Sequence, residues 1–100
     1  MTETRPWLLV LGASSGFGAA TARVFAEHGF NVAGVHLDRR GRQAEVDELV
    51  EQLRGLGAEV RFYNRNAADD ATRREIIEDL GAVLHETGSR IQVVLHSLAF

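Results

Sequence analysis

The 100-residue chain reads as an α/β protein with a doubly wound parallel sheet of four strands and three helices. Three observations predict this. Apolar strand-like runs alternate with amphipathic stretches of ten or more residues, a glycine-rich turn joins the first run directly to the first amphipathic stretch, and Gly follows each helical stretch where helices commonly stop. A strand, helix, strand order with helices of that length calls for right-handed crossovers between parallel strands and for helices on both faces of the sheet.

The elements follow in order. Trp7 to Leu11 is a continuous apolar run ending at Gly12, the pattern of a strand buried on both faces. Ala19 to His28 carries Ala22, Phe25 and Ala26 on one helical stripe and is closed by Gly29. Asn31 to Leu37 is the second strand. Arg42 to Leu56 places Val46, Leu49, Val50, Leu53 and Leu56 at helical spacing before Gly57. Glu59 to Asn64 alternates polar and apolar residues as a third strand. Asp69 or Asp70 then N-caps a helix bearing Ile76, Ile77, Leu80, Val83 and Leu84, and Ile91 to Leu95 forms the fourth strand after Thr87-Gly88-Ser89. No linker, repeat or composition shift divides residues 1–100, which read as one domain.

Composition narrows the function classes. The chain is 45% hydrophobic with one Pro and a mean hydropathy of −0.10, enough apolar material for a packed core. Its longest uncharged stretch, Pro6 to Ala22, is broken by Gly, Ser and Thr and is shorter than the roughly 20 apolar residues of a membrane span. A net charge of −3 gives no electrostatic reason to expect nucleic-acid or membrane binding. The absence of Cys excludes Cys-ligated metal and fits a cytoplasmic protein, and no metal site is expected. All eleven basic residues are Arg, so no lysine chemistry is available within the chain.

The sharpest signal is Gly12-Ala13-Ser14-Ser15-Gly16-Phe17-Gly18, placed between the first strand and the first helix. Glycines let such a turn bend tightly, approach a pyrophosphate and pack the helix on the strand, while the helix N-terminus offers free N–H groups. Ser14 and Ser15 add hydroxyls. Phosphate binding is the expected chemistry, with a ligand-free turn of a flavodoxin-like fold as the alternative.

The Gly-x-x-x-Gly-x-Gly spacing resembles the nucleotide loop of the short-chain dehydrogenase/reductase family, except that Leu11 stands where the family usually has Thr. The resemblance runs along the whole chain in order. It implies a Rossmann-type fold, NADP or NAD as cofactor, and Gly12, Ser14, Ser15, Gly16, Phe17 and Gly18 as cofactor-binding residues. In that family the residue ending strand two selects the cofactor, an acid for NAD or a base for the 2′-phosphate of NADP. The NAD-selecting acid aligns with His36, followed by Leu37, Asp38, Arg39 and Arg40. Arg39 and Arg40 favour NADP, because guanidinium forms charge-assisted bonds to phosphate, whereas Asp38 either lies past the ribose or pairs with Arg. A solvated charge cluster opening the next helix is the alternative.

Asn66-Ala67 matches the family's Asp-Val pair, which implies adenine recognition; an Asx turn into the following helix is the competing reading. Leu95-His96-Ser97-Leu98-Ala99-Phe100 departs from the family's usual Asn-Asn-Ala-Gly and resembles the enoyl-acyl-carrier-protein reductases, which implies that Ser97 and Leu98 line the nicotinamide-side ribose. His96 is read as a strand-end structural residue.

The family's chemistry needs a Tyr and a Lys on a later helix. Tyr63 is the only Tyr, lies on the third strand and has no Lys to pair with, so no catalytic residue is assigned. A four-stranded sheet also leaves its crevice without a second wall. The chain is therefore expected to be the cofactor-binding first half of a longer oxidoreductase passing hydride to an enoyl or carbonyl carbon of a small, fatty-acyl-like substrate, with homo-oligomers implied by the resemblance. A non-catalytic nucleotide-binding or interaction module, or a flavodoxin-like phosphate-binding domain, remains the alternative reading.

Overall fold

The computed structural model describes residues 4–14 and 16–97. Its strands are β1 (Trp7–Leu11), β2 (Asn31–His36), β3 (Val60–Asn64) and β4 (Ile91–His96), and its helices are α1 (Gly16–Glu27), α2 (Gln43–Gly55) and α3 (Asp70–Thr87), with a short 3₁₀ turn over Arg40–Arg42. The strands form one parallel sheet in the order β3-β2-β1-β4. The chain therefore winds outward from β1 to β3 and then returns to the far side of β1, which creates a switch point between β1 and β4.

The apolar runs explain this order. β2 lies between β1 and β3, and all six of its residues are buried. β4, at one edge, alternates buried-leaning and exposed residues. On one face, Leu8, Val10 and Val32 pack with Ala19, Ala22 and Ala26 of α1 and with Leu49 and Leu53 of α2. On the other, Trp7 and Ala33 pack with Leu80 of α3, joined by Leu9, Val83, Leu84 and Ile91. Leu8 and Leu53 are completely buried, and each such side chain contributes about 2 kcal/mol by leaving water. β1 and β4 shift register between Trp7/Ile91 and Leu8/Val93, so that Gln92 is accommodated as an irregularity at the start of β4.

Helix ends obey local rules. The Asp69 carboxylate accepts the Thr72 N–H at 2.9 Å and starts α3, and Gly88, at φ +71°, ends it by donating its N–H to the Leu84 carbonyl. Most element ends differ from the sequence expectation by one residue, β2 ending at His36, β3 starting at Val60, β4 ending at His96, and α1 and α2 ending at Glu27 and Gly55; the helix starts differ for a physical reason. α1 begins at Gly16 rather than Ala19, because its first turn is made of the glycine motif, whose poor helix propensity hides the start. α2 begins at Gln43 rather than Arg42, after the 3₁₀ turn. Among the described residues no helix is long and apolar enough to cross a membrane.

Candidate functional site

The residues singled out by the sequence gather at the carboxyl ends of the strands. The turn after β1 is tied to β2 because the N–H groups of Gly12 and Ala13 both donate to the Val35 carbonyl, at 2.8 and 3.2 Å. Ala13 is fully buried against Gly34, where a Cβ would stand 2.7 Å from the Ala13 Cβ and 2.7 Å from the Phe62 ring. Two glycines of the motif are required for different reasons. Gly18 brings α1 against β1 so closely that a Cβ there would lie 2.0 Å from the Gly12 carbonyl oxygen. Gly16 has φ +58°, and no neighbouring atom lies within 4 Å of its Cβ position.

This is the cradle a pyrophosphate requires. Outside its chain neighbours and its own helix, no described atom lies within 4 Å of a Cβ placed on Gly16, and the first turn of α1 carries N–H groups that helical geometry leaves without intrahelical partners. Gly12, Ser14, Gly16, Phe17 and Gly18 surround this turn, and Phe17 is 70% exposed. The assignments to Ser15 and Leu98 fall outside the described residues.

Beyond β2 the chain forms a second cluster. His36 is buried, its ring lies 5.7 Å from that of Phe62, and its Nδ1 is 2.9 Å from Oδ2 of Asp38. The Asp38 side chain is only 12% exposed. Its main chain is clamped by Asn64, whose Oδ1 accepts the Asp38 N–H at 2.9 Å and whose Nδ2 donates to the Asp38 carbonyl at 3.2 Å. Burial pushes the Asp38 carboxyl upward, but hydrogen bonds with Ser14 and His36 and the charges of His36 and Arg42 outweigh it and hold the group below the ordinary carboxylate value. Arg42 lies 3.9 Å from Oδ1 of Asp38 and pairs more closely with Glu45 at 2.8 Å. Arg39 and Arg40 are exposed, and among the described residues neither has an acidic partner.

The remaining candidates lie at the next two strand ends. Oδ1 of Asn66 accepts the Ala68 N–H at 2.9 Å, which is an Asx turn leading into α3, and the Ala67 carbonyl accepts from Arg73. Ser97 donates its N–H to the Leu11 carbonyl at 2.8 Å, which holds the end of β4 beside the start of the glycine turn. Tyr63 faces away from this group and donates to Asp79 of α3 at 2.6 Å. Burial, with the Asp79 hydrogen bond and charge, keeps its phenol protonated far above the usual range.

Two features of the cluster were not singled out from sequence. Asn64 had no signal beyond its place at a strand end, because its partner is 26 residues away. Arg42 stands four residues from Asp38, a spacing that permits pairing where the chain turns. A concavity of about 780 Å³ runs between α2 and β3 and reaches His36 and Asn64, and a smaller one of about 260 Å³ borders Ser14 and Gly16.

Comparison with known proteins agrees with this geometry. The sequence profile of the family described as enoyl-(acyl carrier protein) reductase matches residues 12–100. The chain is 33% identical over 70 residues to the 3-oxoacyl-acyl-carrier-protein reductase of Thermotoga maritima, covering 70% of this chain and 27% of that protein. Among solved structures, a short-chain dehydrogenase/reductase from Sinorhizobium meliloti superposes with a TM-score of 0.76 at 30% identity, over 94% of this chain and 40% of that one. The 3-oxoacyl-acyl-carrier-protein reductase of Brucella melitensis, solved in complex with NAD, superposes with a TM-score of 0.73 at 27% identity, over 99% of this chain and 35% of that one. The chain thus spans well under half the length of these relatives.

Proposed function

The chain belongs to the short-chain dehydrogenase/reductase superfamily, and from that premise we propose that it is the dinucleotide-binding half of an NAD(P)H-dependent oxidoreductase. The observation that carries this reading is the glycine turn: a positive φ and open space at Gly16, close approach at Gly18, and a helix N-terminus at the switch point of a parallel sheet. Gly12, Ser14, Gly16, Phe17 and Gly18 hold the pyrophosphate, with Ser15 beside them in sequence. Asn66 and Ala67 border the adenine, and Ser97 with Leu98 borders the nicotinamide-side ribose. The nicotinamide, when bound, supplies hydride to an enoyl or carbonyl carbon of a small substrate; the residues of this chain bind and orient and give no catalytic acid. Homo-oligomers belong to the same proposal.

The finer reading is NADP over NAD. His36 occupies the place of an NAD-selecting acid, the Asp38 carboxylate is engaged by His36 and Ser14, and Arg39 and Arg40 are exposed at the next chain positions. Titration of the longest expressible form of the protein with NADPH and NADH, followed by nicotinamide fluorescence and by melting temperature, tests both levels. NADPH is expected to bind more tightly and to raise the melting temperature more, and replacing Arg39 and Arg40 by Ala is expected to remove that difference. Binding of neither nucleotide would reduce the loop to a turn and end the oxidoreductase reading.

A further inference from the structure

We propose that the free edge of β3 is a self-pairing surface, on which a second copy of this chain adds its own β3 antiparallel across a two-fold axis at Phe62. The inference does not rest on the nucleotide site. Among the described residues β3 has one neighbour, β2, and its outer edge pairs with no strand. Val32 donates its N–H to the Glu59 carbonyl at 2.9 Å, and Arg65 donates to the His36 carbonyl at 2.8 Å. Alternate residues of a parallel strand turn both main-chain groups to the same side. Glu59, Arg61, Tyr63 and Arg65 therefore serve β2, and Val60, Phe62 and Asn64 present N–H and C=O outward. The devices that blunt such an edge are weak here: β3 has no Pro and keeps a regular register with β2, and the charge of Arg61 is drawn to Asp79 of α3 at 3.6 Å. The concavity of about 780 Å³ bordered by Val46, Val50, Val60 and Phe62 leaves room beside the edge for the side chains of another strand.

The side chains choose both the occupant and the register. Arg61 and Tyr63 reach Asp79 of α3, and Arg65 reaches Glu75, so these residues share the α3 face of the sheet, as does Glu59 by alternation. The Glu59 carboxylate has no ion-pair partner among the described residues. Outward main-chain groups must meet outward ones, so antiparallel registers come in steps of two residues. With Phe62 opposite its own copy, Val60 meets Asn64, and each of these pairs exchanges both main-chain hydrogen bonds. Arg61 then faces Tyr63, a cation beside a ring, and Glu59 faces Arg65, an ion pair that the axis repeats. The neighbouring registers are repulsive. An axis at Arg61 sets two guanidinium groups face to face, and an axis at Tyr63 sets Arg61 against Arg65. On the other face Phe62, partly buried against the core cluster of α1 and α2, meets the same ring of the second copy. A two-fold pair is closed, so no open edge is left on this side of the sheet.

The test is disulfide trapping in the longest expressible form of the protein, since residues 1–100 contain no Cys of their own. Each variant is equilibrated in a glutathione buffer, and the linked peptides are identified by mass spectrometry. Phe62→Cys should link to its own copy, because residues opposite one another in a hydrogen-bonded pair have Cα atoms about 5.5 Å apart, within disulfide reach. A mixture of Arg61→Cys chains and Tyr63→Cys chains should form the mixed link. Each of these variants alone should stay unlinked, because like positions are then diagonal neighbours about 7–8 Å apart. The mixture keeps Phe62 and so reads the register even where Phe62→Cys does not fold. Adding Glu59→Arg to both chains should lower the mixed yield roughly tenfold, since the axis repeats the clash with Arg65. Linkage of Arg61→Cys to itself, or an unchanged yield with Glu59→Arg, would overturn the pairing. Absence of a link in every sample would overturn it too, and would leave the edge to water or to a strand of other sequence. None of these outcomes touches the oxidoreductase reading, which stands or falls with nucleotide binding.

Discussion

Arg5 shows how much a single residue outside the nucleotide site carries. Its Nε donates to the Gly29 carbonyl at 3.0 Å, Nη1 to Gly57 at 2.6 Å, and Nη2 to Ala26 at 3.2 Å and Phe30 at 3.0 Å. The Arg5 carbonyl in turn accepts from the Ser89 hydroxyl at 2.6 Å. One guanidinium thus satisfies carbonyls that follow or end α1 and α2, where helix dipoles favour a cation. Arg5→Ala is expected to cost about 2 kcal/mol in chemical denaturation, and Arg5→Lys to recover only part, because an ammonium cannot reproduce the planar fork. None of this was legible in sequence: the partners lie 21 to 52 residues away, and Arg5 sits in a polar N-terminal stretch with no pattern. The two loop glycines separate by cause. Gly18→Ala forces a Cβ onto the Gly12 carbonyl and should cost upwards of about 2 kcal/mol together with nucleotide binding. Gly16→Ala meets no atom and pays only for its positive φ, about 1 kcal/mol, read in the same denaturation series.

At the scale of elements, the strands and helices were readable because their burial is periodic. β1 and β2 lie side by side inside the sheet; β1 reads as a buried run, while the full burial of β2 is shown by the structure. Of the stripes read from the sequence, Val46, Leu49 and Leu53 on α2 and Ile76 and Leu80 on α3 are buried, whereas Leu56, past the end of α2, and Ile77, on the outer face of α3, are exposed. What period could not reveal was the start of α1, since glycines chosen for a ligand turn argue locally against a helix. Nor could it choose between the adenine and Asx-turn readings of Asn66; the structure shows the turn, and the adenine role remains part of the proposal. α3 has a pH dependence of known sign. The Asp69 hydrogen bonds to Thr72 hold its carboxyl in the folded state below the ordinary aspartate value of 3.8. Its stabilisation is therefore present above that value and is lost as pH falls through the lower, folded value. Helicity followed by circular dichroism should decline on acidification below about pH 4, and Asp69→Ala should lower the melting temperature at pH 7 while flattening that acid limb.

At the scale of the whole molecule, the sheet order explains why residues scattered from Gly12 to Ser97 form one group. Parallel strands point their carboxyl ends the same way, so the segments following β1, β2, β3 and β4 all emerge on one edge, and the return of β4 to the far side of β1 opens a crevice there. The sequence conveyed this topology through its alternation and glycine spacing, while the contacts of Asp38 with Asn64 and His36 are ones that only folding brings together. This edge, and not the 780 Å³ groove between α2 and β3, is the surface proposed to bind a dinucleotide. The most direct measurement is the change in backbone amide NMR shifts of the isotope-labelled chain on adding NADPH. Perturbations are expected to concentrate at Gly12 to Gly18, at Asp38 to Arg42, at Asn66 to Ala67 and at Ser97. Shifts confined to Val46, Val50, Arg54 and Val60, or no shifts at all, would contradict it.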